Sequence, residues 1–338
     1  MKIAVIGIGA IGGVIAARLL AAGYDLTVVV SRKEQAAALQ TDGLTLLEGG
    51  HAQTVAVPRI VLAERMTRDL ERDFDLIVVA TKSEAMPSAV EEAGRHLSSG
   101  GVVLLPQNGL PEETAVLILP RRRVLGSVIG WNALRRDDRT VELLQRGETA
   151  VGIAKGGNAG RIPSVVAALA PLGNVRATEN LPGSRWHKLA INAVINPLTA
   201  VGGLPLGATF QDADARRLAL GVLRETIALW QALDITEEPL ANTPSLTRLG
   251  RLPVPLQHLA LLVLGRRSRD VRPSMLVDVE NGRATEIRAL NGEIVRSSQR
   301  AGIEAPVNSA LVARIEAIEA GDERPNPRAY RELARLVL

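Results

Sequence analysis

Lys2-Ile3-Ala4-Val5-Ile6-Gly7-Ile8-Gly9-Ala10-Ile11-Gly12-Gly13 is the stretch that decides the fold. A short apolar run leads into G-x-G-x-x-G, and the helical pattern Val14–Leu20 follows until Gly23 stops it. Asp25–Val30 then reads as a second strand. This is the strand–turn–helix–strand setting that a dinucleotide fingerprint needs. Gly7 permits the tight turn, Gly9 lets a pyrophosphate approach the backbone, and Gly12 brings the helix close to the strand. The amides of Ile8, Ala10 and Ile11 complete the anion-facing loop and helix N-terminus. After the second strand come Ser31-Arg32-Lys33, with no carboxylate before Glu34. An acidic residue there would read the ribose hydroxyls of NAD. A hydroxyl and two cations suit a 2′-phosphate, so the expected cofactor is NADP(H); the bland alternative is that Arg32 and Lys33 merely open the next helix.

Working outward, a β-rich stretch (44–62) precedes Phe74–Ala80, an unbroken apolar run of the kind buried in parallel sheets. Lys82 follows it, on the ligand-binding edge of such a sheet. A helix over 84–97 and a strand over 102–105 lead to Gln107-Asn108-Gly109, again at a strand's carboxyl end. Val124–Ile129 is a further strand entering Gly130–Arg136; strands over 140–145 and 148–154 and a helix over 161–172 close this half. From about Leu181 the pattern is all helical, with segments 184–200, 213–234, 244–265, 274–301 and 307–319. The expectation is an α/β chain with a Rossmann-type dinucleotide-binding domain over 1–180. An all-helical substrate-binding and catalytic domain follows over 181–338.

The helix over 184–200 carries Lys188, Asn192 and Asn196 at successive intervals of four, which places them on one face. Leu189, Ile191, Val194, Ile195 and Leu198 cover much of the rest, so the helix is mostly buried. Burying neutral polar groups unpaired costs roughly 2–7 kcal/mol each. Something polar must therefore meet this stripe, either a hydrogen-bond ladder to another helix or an oxygen-bearing substrate. In the 274–301 segment Ser274, Asp278 and Glu286 share a broad polar arc, which matters if it faces Lys188 and is otherwise a solvated surface.

The 338 residues suffice for two domains. There is no cysteine, which excludes disulfides, thiolate nucleophiles and cysteine-ligated metals. The four histidines, His51, His96, His187 and His258, show no helical metal spacing, and no metal is expected. Basic residues total 40 against 36 acidic, and aromatics are 2%, so the arginine clusters read as solvated faces rather than a nucleic-acid surface. No signal peptide opens the chain and no segment is apolar for long enough to span a bilayer, so the expected location is cytoplasmic. Lysine is rare here, five residues including Lys82 and Lys188, which draws attention to positions that need an ammonium. Low-charge stretches at 213–234 and 252–264 leave room for a homodimer.

Taken together, these residues resemble the ketopantoate reductase (2-dehydropantoate 2-reductase) family from end to end. The resemblance rests on Gly7–Gly12, Gln107-Asn108-Gly109, Lys188–Asn192 continuing to Ile195–Ala200, and Pro273–Leu276 with Asp278, Gly282-Arg283 and Thr285-Glu286-Ile287. It implies NADPH-dependent reduction of ketopantoate to (R)-pantoate, for pantothenate and coenzyme A synthesis, in a cleft between the two domains. It also implies that Lys188 is catalytic, that Asn192 and Asn196 contact substrate, and that Ser274 binds its carboxylate. By the same resemblance Glu286 contributes to the site on the cofactor side, and Arg32, Lys82, Asn108 and the backbone at Leu134 hold NADPH. Four departures stand out: Leu206 and Val271 occupy positions that are polar in the family, Val277 replaces a usual glutamine, and Arg288 a usual aspartate. The 240–272 stretch is also longer than in compact members. Two other readings follow, a same-fold reductase of another 2-oxo acid or ketone, and a non-catalytic NADP(H)-binding sensor.

Overall fold

The apolar runs of the N-terminal half assemble into one sheet because each is too hydrophobic to leave either face in water. The structure, a computed structural model, describes residues 1–154, 156–157 and 159–337. The strands are β1 (Ile3–Ile6), β2 (Leu26–Val30), β3 (Leu44–Glu48), β4 (His51–Val55), β5 (Arg59–Leu62), β6 (Phe74–Val79), β7 (Leu97–Leu105), β8 (Val124–Ile129), β9 (Asn132–Arg135), β10 (Thr140–Gln145), β11 (Thr149–Ile153) and β12 (Val175–Ala177). The larger sheet has the order β12-β11-β8-β7-β6-β1-β2-β5. It is parallel from β8 through β5, and only β11 runs antiparallel to its neighbour β8. The order reverses beside β1, between β6 and β2, the switch point at which such sheets bind ligands.

Helices α1 (Ala10–Ala21), α2 (Lys33–Asp42), α3 (Met66–Asp69), α4 (Met86–His96), α5 (Pro111–Ile118) and α6 (Ile162–Leu169) connect these strands. A second sheet, β4-β3-β10-β9, packs on α1. A Cβ on Gly13 would come within 2.5 Å of Val141 Cγ1, so the close approach of α1 to β10 needs a glycine there. The strand from Val102 proves longer than its apolar core suggests, because Leu97–Gly101 extends β7 backwards.

The chain divides into two compact units, Met1–Ser184 and Arg185–Leu338. The second contains most of α7 (Leu181–Gly202), then α8 (Leu206–Gln211), α9 (Ala213–Ala232), α10 (Leu246–Gly250), α11 (Val254–Arg267), α12 (Ser274–Glu280), α13 (Asn291–Arg300), α14 (Pro306–Ala320) and α15 (Arg328–Leu333). Two expected helices are each broken in two. The 244–265 segment stops after Gly250, and Pro253, which has no N–H to continue a ladder, caps the start of α11. The 274–301 segment ends at Glu280. Asn281 donates its side-chain amide back to Val277 O at 2.6 Å, and Gly282 turns left-handed at φ 61°. A ten-residue turn, 281–290, therefore carries Glu286, rather than a helix. The apolar residues of α9 are interior, whereas α11 leaves Val254, Leu256, Leu259 and Val263 exposed. Among the described residues no helix is long and apolar enough to cross a membrane, and no histidine and carboxylate group is arranged to hold a metal ion.

Candidate active site and cofactor-binding edge

In the first unit, the parallel register places the carboxyl ends of β7, β6, β1 and β2 along one edge. Asn108, Lys82, the Gly7–Gly12 turn and Ser31-Arg32 each follow one of those four neighbouring strands. The glycines differ in what confines them. Gly7 has φ 94°, and a Cβ there would lie 2.9 Å from the carbonyl of Ala80. A Cβ on Gly12 would sit 1.9 Å from Gly7 O, an impossible overlap. A Cβ on Gly9, by contrast, meets nothing within 4 Å. Gly7 and Gly12 are demanded by the fold, while Gly9 faces open space at the start of α1, where the helix has no side-chain cap. That is the arrangement a pyrophosphate needs.

The edge is pinned by two glutamines. Gln107 donates its side-chain amide to Val79 O at 2.7 Å. Gln35, buried on α2, donates to Ile8 O at 2.8 Å and to Asp138 O at 3.1 Å. Gln35 was not legible beforehand, because α2 has no strong amphipathic pattern to mark it as an inward residue. Thr81 also joins the edge. Its hydroxyl is buried and lacks a hydrogen-bond partner among the described residues, so it has an open bond for a ligand. The exposed Arg32 guanidinium forms an ion pair with Asp138, and Lys33 lies 3.8 Å from Glu64. Lys82 and Ser31 are exposed, and Leu134 is half-buried in β9 of the smaller sheet. These groups fit a phosphorylated dinucleotide.

In the second unit, α7 is as buried as its sequence requires: Trp186, His187, Leu189, Ala190, Ala193, Val194 and Leu198 are all interior. Lys188 and Asn192 are half-buried, and Asn196 is 7% exposed. Among the described residues, the side chains of Lys188, Asn192 and Asn196 make no hydrogen bond to protein. The ladder to a neighbouring helix, which would have satisfied the stripe internally, is absent. Burial pushes the Lys188 ammonium down to about 7, the Arg185 guanidinium pushes the same way, and the Glu286 carboxylate pulls it back up. Arg185 is itself buried and stands one turn before Lys188. The sequence reading passed over it because a lone arginine at a helix start carries no motif.

Just beyond the stripe, Pro197 lies inside α7 and cannot supply the N–H that Ala193 O would normally accept. Asn291 Nδ2 donates to that carbonyl at 2.9 Å and to Asn308 Oδ1 at 3.0 Å. Asn308 Nδ2 in turn donates to Glu225 at 2.6 Å. The proline itself was the available signal, since a proline in a buried helix implies a donor four residues back. Tyr330 adds a hydrogen bond from its hydroxyl to Leu198 O at 2.7 Å. The structure thus holds the Asn196 turn from two sides. Ser274 is exposed at the start of α12 and makes no hydrogen bond to the stripe among the described residues; Asp278 is half-buried one turn later.

The ketopantoate reductase PanE/ApbA family matches residues 3–156, and its C-terminal domain matches residues 180–319. The 2-dehydropantoate 2-reductase of Pyrococcus horikoshii is 27% identical over 326 residues, covering 94% of this chain and 98% of that one. The crystal structure of 2-dehydropantoate 2-reductase from Geobacter metallireducens superimposes with TM-score 0.78 at 27% identity, covering 94% and 99%. A ternary structure of D-mandelate dehydrogenase with NADH and anilino(oxo)acetate shares the fold, with TM-score 0.79 at 21% identity over 95% and 99% of the two chains. With both units matched and near-complete coverage of its relatives, the chain belongs to the ketopantoate reductase PanE/ApbA family of oxidoreductases.

Proposed function

We propose that this protein reduces ketopantoate (2-dehydropantoate) to (R)-pantoate with NADPH, a step of pantothenate and coenzyme A synthesis. The observation that carries the reading is the stripe Lys188–Asn192–Asn196, polar groups on a buried helix with no protein partner. Residues 1–180 serve the cofactor and 181–338 the substrate. Gly7, Ile8, Gly9, Ala10, Ile11 and Gly12 would hold the pyrophosphate, and Ser31 and Arg32 the 2′-phosphate. Lys82, Asn108, the backbone at Leu134 and Glu286 complete the cofactor set. When bound, NADPH supplies the hydride. As the ketone carbon of the substrate is reduced, negative charge grows on its oxygen. Lys188 Nζ stabilises that charge and delivers the proton. An ammonium that titrates near 7 gives up its proton at neutral pH, which arginine, with a pKa above ~12, does not. Asn192 and Asn196 orient the oxygens of the 2-oxo acid, and Ser274 accepts its carboxylate end. Glu286 keeps Lys188 protonated.

A sibling substrate follows from the sequence departures at Leu206, which is buried, and Val271, which is exposed. Their backbones are joined by a hydrogen bond from Leu206 N to Val271 O at 2.9 Å. Two polar contacts replaced by apolar side chains would weaken a hydroxylated substrate by roughly 1 kcal/mol each, so a more apolar 2-oxo acid or ketone is the second reading. A silent NADP(H) sensor is the weaker third, because it leaves the stripe unsatisfied to no purpose. A homodimer would be formed by covering the exposed face of α11, and the mass in solution reads this directly. The function is tested by following oxidation of NADPH, beside NADH, with ketopantoate and a panel of 2-oxo acids. Selective turnover of ketopantoate supports the first reading. Preference for an apolar ketone moves the protein to the second, and binding of NADPH without turnover of any of them moves it to the third.

A further inference from the structure

His187 directly precedes Lys188 and points away from the stripe into the interior of the second unit, where it is 0% exposed. Its Nδ1 lies 2.9 Å from Glu237 Oε1 and its Nε2 lies 2.7 Å from Thr243 Oγ1. The Glu237 contact fixes one of the ring protons. The Thr243 hydroxyl lies within reach of both the ring and Leu240 O, the latter at 2.6 Å. Glu237 accepts from Leu246 N at 2.6 Å, Ser245 Oγ at 2.6 Å and Thr247 N at 3.1 Å, donors that suit a carboxylate and not an acid. Burial pushes the Glu237 carboxyl up, and these bonds together with the one from His187 outweigh it and hold the carboxyl at about 2. Nδ1 of His187 therefore donates to Glu237, and Nε2 meets the Thr243 hydroxyl.

We infer that His187 is a positioning residue for Lys188: its ring, held between Glu237 and Thr243, clamps the Lys188 turn of α7 to the segment 235–250. The inference rests on the proposed role of Lys188 and gives a task to the start of the 240–272 insertion. Glu237 and Thr243 reach the helix through His187, and Glu237 also orders the first turn of α10 through the amides of Leu246 and Thr247. The charged groups acting on Lys188 itself are Arg185 on its own helix and Glu286 on the 281–290 turn. The clamp acts on it by fixing where the turn sits, since neither His187 nor Glu237 is among the charges that act on Lys188.

The test uses the full-length protein and the near-isosteric Glu237→Gln, with His187→Gln as the second variant. In nitrogen-15 spectra of the wild type at neutral pH, Nδ1 of His187 is expected to carry a proton and to couple across the bond to Glu237. A ring whose Nδ1 is unprotonated overturns the inference. The pH dependence of Lys188 acetylation, read by mass spectrometry, measures the position of the lysine without requiring turnover. Its midpoint should rise by about one pH unit or more in Glu237→Gln, as the freed turn lets Nζ reach water. With ketopantoate and NADPH, kcat should fall about tenfold while KM for NADPH stays within about twofold. A folded Glu237→Gln protein with an unchanged acetylation midpoint overturns the inference and leaves His187 as a core residue. If the wild type reduces no 2-oxo acid, the reductase reading fails, yet the acetylation midpoint still decides whether the clamp positions Lys188.

Discussion

The two functional regions of this chain are built on opposite principles. The cofactor edge of the first unit is made by removing side chains: Gly7 and Gly12 are crowded by backbone, and Gly9 is left facing space. The α7 stripe of the second unit is made by adding side chains where burial penalises them. The first kind of site is cheap for the fold, because glycine satisfies the turn and leaves amides to bind an anion. The second kind gives the fold nothing in return: the stripe's side chains make no hydrogen bond to protein among the described residues, and Asn196, at 7% exposed, is the most enclosed of the three. The same protein thus has a proposed cofactor site whose glycines its fold requires and a proposed substrate site that its fold merely tolerates.

The largest expected effect breaks the second region chemically. Lys188→Ala should lower kcat by about 10²–10⁴-fold, with NADPH affinity measured by fluorescence titration essentially unchanged. Loss of NADPH binding in that variant would mean the lysine serves the cofactor instead. The next effect splits the first region. Gly12→Ala should unfold or strongly destabilise the protein, because the overlap with Gly7 O has no room to relax. Gly9→Ala should leave the thermal midpoint within the ~0.5 kcal/mol typical of harmless surface changes, yet weaken NADPH at least tenfold. Equal thermal losses in the two variants would contradict the distinction drawn between them.

A smaller effect is a pH shift. The Lys188 ammonium sits near 7, and as a proton donor it must be charged, so kcat/KM should fall as pH rises through that value. Arg185→Met removes a cation and should move this limb to higher pH; Glu286→Gln removes an anion and should move it lower. No shift in either variant would show that burial alone governs the lysine. The smallest effect is on stability. The Glu237 carboxyl is lowered to about 2 from 4.5, so its stabilising contribution is complete above 4.5 and is lost as pH falls toward 2. Urea unfolding of wild type and Glu237→Gln should differ by about 1–3 kcal/mol at neutral pH, and the gap should close in acid.

The fold was legible in the sequence to the degree that single residues dictate backbone. Gly7–Gly12, the apolar runs of β1, β6 and β8, and the burial of α7 all follow from local pattern. The breaks at Pro253 and Gly282 were written in the sequence too, but the apolar spacing runs on through both and conceals them. The stripe was legible through its spacing, and its lack of a protein ladder was not, because satisfaction depends on residues far along the chain. The same holds for Gln35 at Ile8 O, Asn291 at Ala193 O and Glu237 at His187, in which a side chain many residues away completes a bond that local sequence leaves open. Arg185 belongs to this group as well, since only burial next to Lys188 gives it an effect.

The most direct test of whether the stripe exists for a ligand is Asn196→Leu, which replaces a buried carboxamide by an apolar side chain of similar size. If the carboxamide is unsatisfied until substrate binds, the variant should melt at the same temperature or higher than wild type, while KM for the 2-oxo acid rises about tenfold or more. A lower melting temperature with KM unchanged would show that Asn196 holds the fold together, and that the stripe is not the substrate site.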